Sequence, residues 1–307
     1  LIPLKPFSLH ECEQFAIANN LGMSRRNVLD TYMILGGVPY YWKFLQREYS
    51  WAQNIDALFF QESSPLQNEF NALYASLFRN PRPYIDIIKA LGTKKVGMTR
   101  TEIIDATKLE AGGQITLILE ELEQCDFIRS FHALGKKKKE ICYQLIDNFT
   151  LFYFQYIANY TAKTSAYWSQ KINQPQFNTW SGFAYERVCM QHIEQIKHAI
   201  GISGIASSVY SWQYIPKNTD EKGAQIDMLI DRDDRMINLC EIKYGQGEYE
   251  ISEAYDKVLR EKLSIFQNVT KTNKGVSLLM ITSYGLKRNQ WANNIHIQLT
   301  MDDLFAF

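Results

Sequence analysis

The 307-residue chain is long enough for two or three domains, and with 46% hydrophobic and 21% charged residues it has the composition of an ordinary globular protein. Its 33 lysines and arginines balance 33 aspartates and glutamates, which excludes a global positive field, so any contact with nucleic acid has to come from a local patch. The five cysteines, Cys12, Cys125, Cys142, Cys189 and Cys240, are scattered in hydrophobic segments without zinc-ligand spacing; they read as reduced core thiols and point to the cytoplasm, and no apolar run is long enough to span a membrane. The start, Leu1-Ile2-Pro3-Leu4-Lys5-Pro6, has neither an initiator methionine nor a signal-peptide pattern and reads as the middle of a longer protein.

The first third reads as helical. Ser8-Leu9-His10-Glu11 offers a capping box before a helix over residues 12–19, and a second helix over 24–35 is broken by Gly36-Gly37-Val38-Pro39. Helical patterns resume over 40–45, 51–60 and 66–77, and Pro81 and Pro83 mark the next boundary. Residues 1–80 are therefore expected to form a compact helical subdomain.

Residues 81–147 change to three short helices (84–91, 101–107 and 113–125) followed by a β-hairpin (127–134 and 140–145), the element order of a winged helix. Ile115, Leu119 and Leu122 form the buried stripe of the third helix, the candidate recognition helix. The turn Gly135-Lys136-Lys137-Lys138-Lys139 sets four lysines at the tip of the wing, where a solvated turn and a contact with DNA phosphate are both open. Residues 148–179 read as a bridge helix and linker. Phe149, Phe152, Tyr153 and Tyr156 recur at helical spacing, which favours packing over base stacking, and 161–179 reads as a polar connection.

Residues 180–307 read α-β-β-β-α-β: a helix over 180–199, strands over 209–214, 224–230 and 237–244, a helix over 252–267 and a strand over 277–282, with 296–300 as a candidate edge strand. A mixed sheet flanked by helices is the layer solution for that order.

Within this part, acidic residues sit in two adjacent apolar strands. Ile226, Met228 and Ile230 alternate with Gln225, Asp227 and Leu229, the cluster Asp231-Arg232-Asp233-Asp234-Arg235 reverses the chain, and Leu239, Glu241 and Lys243 share one face of the next strand. Strict alternation brings Asp227, Glu241 and Lys243 to one side of a hairpin. There the two carboxylates, with the carbonyl of Ile242, could bind magnesium or manganese while the lysine orients a water or a phosphate. On the preceding helix Phe183, Met190, Ile193 and Ile196 form an apolar stripe, and Glu186 projects near its middle as a candidate outer ligand. The bland alternative is a buried ion pair of Lys243 with Asp227 or Glu186 and no metal. Lys257, Arg260 and Lys262 on the following helix could touch phosphate, although a solvated charged face is the commoner outcome.

The hairpin resembles the Asp…Glu-x-Lys core of the PD-(D/E)xK nuclease superfamily. Taken with Pro3-Leu-Lys-Pro-Phe-Ser-Leu-His-Glu11, Tyr32…Gly36-Gly-Val-Pro-Tyr40, Tyr143-Gln-Leu-Ile-Asp-Asn-Phe149 and Ala224-Gln-Ile-Asp227…Cys240-Glu-Ile-Lys243, it makes nearly the whole chain similar to one family of prokaryotic AAA-like P-loop ATPases. In that family an ATPase core leads through helical lid and winged-helix regions to a PD-(D/E)xK nuclease-like domain. The resemblance implies a mixed α and α/β fold: a helical lid-like region, a winged helix, then a restriction-endonuclease-like αβββαβ domain. It also implies a parent that hydrolyses ATP and oligomerises through its ATPase. This chain has no Gly-x-x-x-x-Gly-Lys-Ser/Thr loop, so ATP belongs to the full-length parent alone. The implied activity is a magnesium- or manganese-dependent DNA endonuclease; the alternative is a catalytically inactive regulatory module that binds nucleic acid or a protein partner. Replacing Lys136, Lys137, Lys138 and Lys139 with alanine is expected to weaken duplex binding and lower its logarithmic salt slope by about one to two units, read by fluorescence anisotropy across a salt series. An unchanged slope would reduce the lysines to a solvated turn.

Overall fold

A computed structural model describes residues 5–132, 141–161, 166–172, 174–216 and 222–307; the four lysines of the expected wing tip, Lys136 to Lys139, lie outside the described residues. The described residues fall into two compact units. One runs to Ser130 and resumes from Ile141 to Trp180; the other holds Phe131, His132 and the stretch from Ser181 to Phe307.

The first unit opens with helix α1 (Leu9–Ala18), closed by the expected capping box: the Ser8 hydroxyl accepts from the Glu11 N–H and the Glu11 carboxylate accepts from the Ser8 N–H. Helix α2 (Arg25–Leu35) stops at Gly36, whose φ of 61° suits glycine. The next residue has a different reason to be glycine. A Cβ on Gly37 would lie 2.0 Å from the carbonyl oxygen of Phe7, whose N–H donates to the Gly37 carbonyl at 2.8 Å. Helices α3 (Pro39–Trp42), α4 (Trp51–Phe59) and α5 (Glu69–Leu77) follow, α3 shorter than its pattern suggested.

Helix α6 (Arg82–Gly92), strand β1 (Met98–Thr99), helices α7 (Arg100–Thr107) and α8 (Gly113–Gln124), and strands β2 (Ile128–His132) and β3 (Ile141–Leu145) come next, with the strands in the order β1-β3-β2. Strand β1 escaped the sequence reading because two residues carry no period. Its Thr99 also caps α7. Ile115, Leu119 and Leu122 are buried along α8, as their spacing predicts.

Helix α9 (Asn148–Phe152) passes into a π-helical turn over Tyr153–Ile157, and here the aromatic stripe packs. Phe149 and Phe152 meet Phe59 with ring centroids 6.0 and 5.3 Å apart, and Tyr153 stacks on Phe70 at 4.0 Å. The expected polar connection over 161–179 is corrected: it contains helix α10 (Tyr167–Lys171) with a fully buried Trp168, and α11 (Pro175–Gln191) begins inside it with Phe177 buried. A five-residue helix has too little length to announce itself by periodicity and is fixed by distant contacts instead. The buried Asp56 carboxylate supplies them, accepting from the Trp168 N–H at 2.6 Å, the Ser169 N–H at 3.1 Å and the Ser169 hydroxyl at 2.6 Å.

The boundary between the units falls within α11. The helix expected over 180–199 is interrupted at His192, after which α12 (Ile193–Ala199) continues. Of the expected buried stripe, Phe183 is 44% exposed while Met190 and Ile196 are buried; Ser181, Ala184, Tyr185, Glu186, Val188 and Cys189 are buried on the same stretch. Small and polar residues on the inner side hid that stripe from a hydrophobicity reading.

The second unit is built on a five-stranded mixed sheet in sequence order: β4 (Ser207–Tyr214), β5 (Ala224–Arg232), β6 (Met236–Lys243), β7 (Gly275–Thr282) and β8 (Ile297–Thr300). β4, β5 and β6 pair antiparallel and β6, β7 and β8 parallel, so 297–300 is an edge strand. A parallel step needs a crossover, and α13 (Glu253–Thr270) makes it between β6 and β7. Leu259 and Phe266 of α13 pack with Leu229, Leu239, Leu278 and Met280 in one core. The residues between them in the strands, Met228, Ile230, Cys240, Ile242, Leu279 and Ile281, are buried as well, so both faces of the central strands are covered.

Gly37→Ala is expected to cost about 3 kcal/mol in urea unfolding, because the new methyl overlaps a backbone that cannot retreat without losing its hydrogen bond. Gly204→Ala, where a Cβ meets nothing within 4 Å, should change stability by less than about 0.5 kcal/mol.

Candidate active site

Strand β5 departs from the strict alternation expected of it. Tyr210 and Trp212 of β4, two residues apart, pair with Leu229 and Ile226 of β5, three residues apart, so Asp227 and Met228 together oppose Ser211. This one-residue bulge turns Ile226 into the same core as Leu229 and leaves Met228 on the other face. The β5–β6 ladder runs from Asp231 opposite Ile237 to Met228 opposite Cys240. One residue beyond, the Asp227 Oδ2 accepts the Ile242 N–H at 3.0 Å, a side chain standing where a ladder carbonyl would otherwise be needed. A residue of an extended strand directs its N–H and C=O to the same neighbour, so the Ile242 carbonyl faces the Asp227 side too.

Glu241 is the centre of the constellation and is buried, as Asp227 is. Its Oε1 accepts from the Lys243 ammonium at 2.7 Å, the Tyr255 hydroxyl at 2.9 Å and the Lys262 ammonium at 3.0 Å, and its Oε2 accepts from Lys262 at 2.8 Å. Lys243 also reaches to 3.9 Å from the Asp227 Oδ2, so it sits between the two carboxylates. The three residues predicted to converge do so. Glu186 is buried on α11, and burial first, then the Glu186 charge, push the Cys189 thiol well above its ordinary range.

Two members of the constellation were not foreseen in this role. Tyr255 and Lys262 are seven residues apart on α13 and share its inward stripe with Leu259 and Phe266. A tyrosine and a lysine on an otherwise apolar stripe were the available signal. Which acid they would meet depended on how α13 lies on the sheet. Of the other basic residues on α13, Arg260 pairs with the buried Asp256 and Lys257 is exposed.

Burial alone would raise the Glu241 carboxyl, but the charges of Lys243 and Lys262 and their hydrogen bonds outweigh it and hold the group below the usual carboxylate range. Burial likewise would lower the Lys243 ammonium, yet the charges of Glu241 and Asp227 hold it above its ordinary value. Tyr255 is raised by burial and by the Glu241 charge and so stays a neutral donor at physiological pH.

Among the described residues no three histidine, cysteine, aspartate or glutamate side chains group as a metal site would. The oxygens of Asp227, Glu241 and the Ile242 carbonyl nevertheless fit a hard divalent cation in kind. What stands against entry is occupancy of Glu241: a carboxylate has about four acceptor positions, and described residues fill four. A cation therefore has to take the place of a donor.

A family model, DUF234, described as archaea bacterial proteins of unknown function, matches residues 150–254. That third of the chain contains Glu186, Asp227, Glu241 and Lys243 and ends in the first turn of α13. No curated protein and no solved structure matches the chain.

Because the folded-state Glu241 titrates below its unfolded value of 4.5, its pairing contributes stability that is present above about pH 4.5 and lost as pH falls through the lower folded value. Lys243 has the opposite sense, contributing below 10.5 and losing its contribution as pH rises through the higher folded value. Glu241→Gln should therefore cost about 3–5 kcal/mol at pH 7, where it leaves two ammonium groups without their shared anion, and less at pH 3.5, where the unfolded unsubstituted chain takes up a proton that its folded carboxylate resists. Urea unfolding of both proteins at the two pH values checks this.

Proposed function

We propose that the second unit is a metal-dependent phosphodiesterase domain of the PD-(D/E)xK type acting on DNA, within a longer parent related to AAA-like ATPases. The observation that carries the reading is the convergence of Asp227 and Glu241 on Lys243 beside the Asp227 bulge. Helices and strands in the order α11-β4-β5-β6-α13-β7 support the αβββαβ architecture. In the first unit, α6, α7 and α8 followed by β2 and β3 support the winged-helix reading, through which the chain would hold duplex.

The roles follow from chemistry. Asp227, Glu241 and the Ile242 carbonyl would hold magnesium or manganese, which when bound supplies Lewis-acid activation of the phosphoryl group and of an attacking water. Asp227 keeps its orientation through the Ile242 N–H. Lys243, cationic at physiological pH, orients the water and offsets charge developing on the phosphoryl oxygens. Glu186, buried on α11, would serve as an outer ligand. Tyr255 donates to Glu241 and fixes its rotamer.

A second reading, a DNA- or partner-binding module in which the acids are structural, is favoured by the full set of donors on Glu241. Asp227→Asn separates the two readings, since the amide oxygen can still accept the Ile242 N–H while the charge is lost. The nuclease reading expects magnesium- or manganese-dependent cleavage of labelled DNA by the parent and at least about a hundredfold loss in the variant, with its melting temperature nearly unchanged. Absence of both cleavage and metal binding by the parent at millimolar metal leaves the binding-module reading.

A further inference from the structure

We infer that Lys262 is an internal counter-ion that occupies the cation's place on Glu241 and sets the metal affinity of the site by having to leave it. The inference rests on the metal-site reading of Asp227 and Glu241. Three donors share Glu241, and they are not equivalent. Lys243 is held by two carboxylates, with 2.7 Å to Glu241 and 3.9 Å to Asp227. Tyr255 is an uncharged donor at 2.9 Å and brings no net charge against an incoming cation. Lys262 is held by the one carboxylate, its ammonium spanning both oxygens at 3.0 and 2.8 Å as a bidentate cation would. Among the described residues it is the donor on Oε2, so its departure frees that oxygen entirely.

Position makes departure feasible. Lys262 is carried on α13 and not on the sheet, and 22% of its side chain is exposed, so its four-carbon stem has an outlet to water. Charge supplies the reason. With Lys262 in place, Asp227, Glu241, Lys243 and Lys262 sum to zero, and a divalent cation would enter against two ammonium groups within hydrogen-bond reach of its own ligand. Exchanging Lys262 for the cation removes one of those repulsions and vacates two acceptor positions at once.

The test is calorimetric titration of manganese into the 307-residue protein and its Lys262→Met, Lys262→Arg and Lys257→Met variants, with melting temperatures recorded without metal. Lys262→Met should bind manganese at least about tenfold more tightly than the parent. Lys262→Arg should stay near the parent, and Lys257→Met, which removes an equal charge from the exposed side of the same helix, should leave affinity unchanged. Adding Glu241→Gln to Lys262→Met should abolish the gain. Should Lys262→Met fail to fold, Lys262→Gln carries the same comparison. Equal affinity in parent and Lys262→Met sinks the exchange and leaves the metal site standing. No manganese binding by either overturns both. A change of equal size in Lys257→Met also sinks the exchange, since it would reduce the effect to net charge.

Discussion

Burying a carboxylate in a sheet is tolerable only when its oxygens are filled, and the architecture around Glu241 is arranged to fill them. A lone ionised carboxylate at that depth would be strongly destabilising. Lys243, two residues along the same strand, supplies one ammonium from the sheet itself, and α13 supplies a second ammonium and a hydroxyl from above. The crossover that joins β6 to β7 is therefore also the element that neutralises the sheet's buried acid. The inward stripe of α13 interleaves the two roles, with Leu259 and Phe266 in the apolar core and Tyr255 and Lys262 reaching the acid.

Asp227 answers a related problem by different means. The bulge in β5 interrupts the alternation that would have continued the ladder, and the aspartate side chain takes over the Ile242 N–H that needs an acceptor. One side-chain oxygen thus meets a structural demand that the backbone ladder leaves open. A bulge is also the device by which a strand re-aims one side chain without disturbing the rest of its pairing, and Leu229, Ile230 and Asp231 keep regular partners on both sides.

The first unit shows the same dependence on contacts distant in sequence. Asp56 on α4 caps a five-residue helix more than a hundred residues later, and Gly37 admits the backbone of Phe7 where any side chain would exclude it. The aromatic stripe of α9 and the π-turn is consumed by packing on Phe59 and Phe70, which leaves those rings unavailable as a stacking surface for bases.

Local signals along the chain located the long elements and the residues that were chemically out of place. Capping residues, the Gly36-Gly37 break, the stripe of α8 and the apolar runs of the sheet are local signals, carried by neighbours three or four residues apart in helices and two apart in strands. The convergence of Asp227, Glu241 and Lys243 was legible for that reason, since a hairpin's pairing follows from its two strands and turn. The β5 bulge, the exposure of Phe183, the break at His192, the existence of α10, and the attachment of Tyr255 and Lys262 to Glu241 depend instead on long-range packing. Each of these turns on which surface an element is laid against. Periodicity describes the face an element offers, but the partner that face meets is set by packing between segments far apart in the chain, and here that packing places Lys262 rather than solvent on the buried acid.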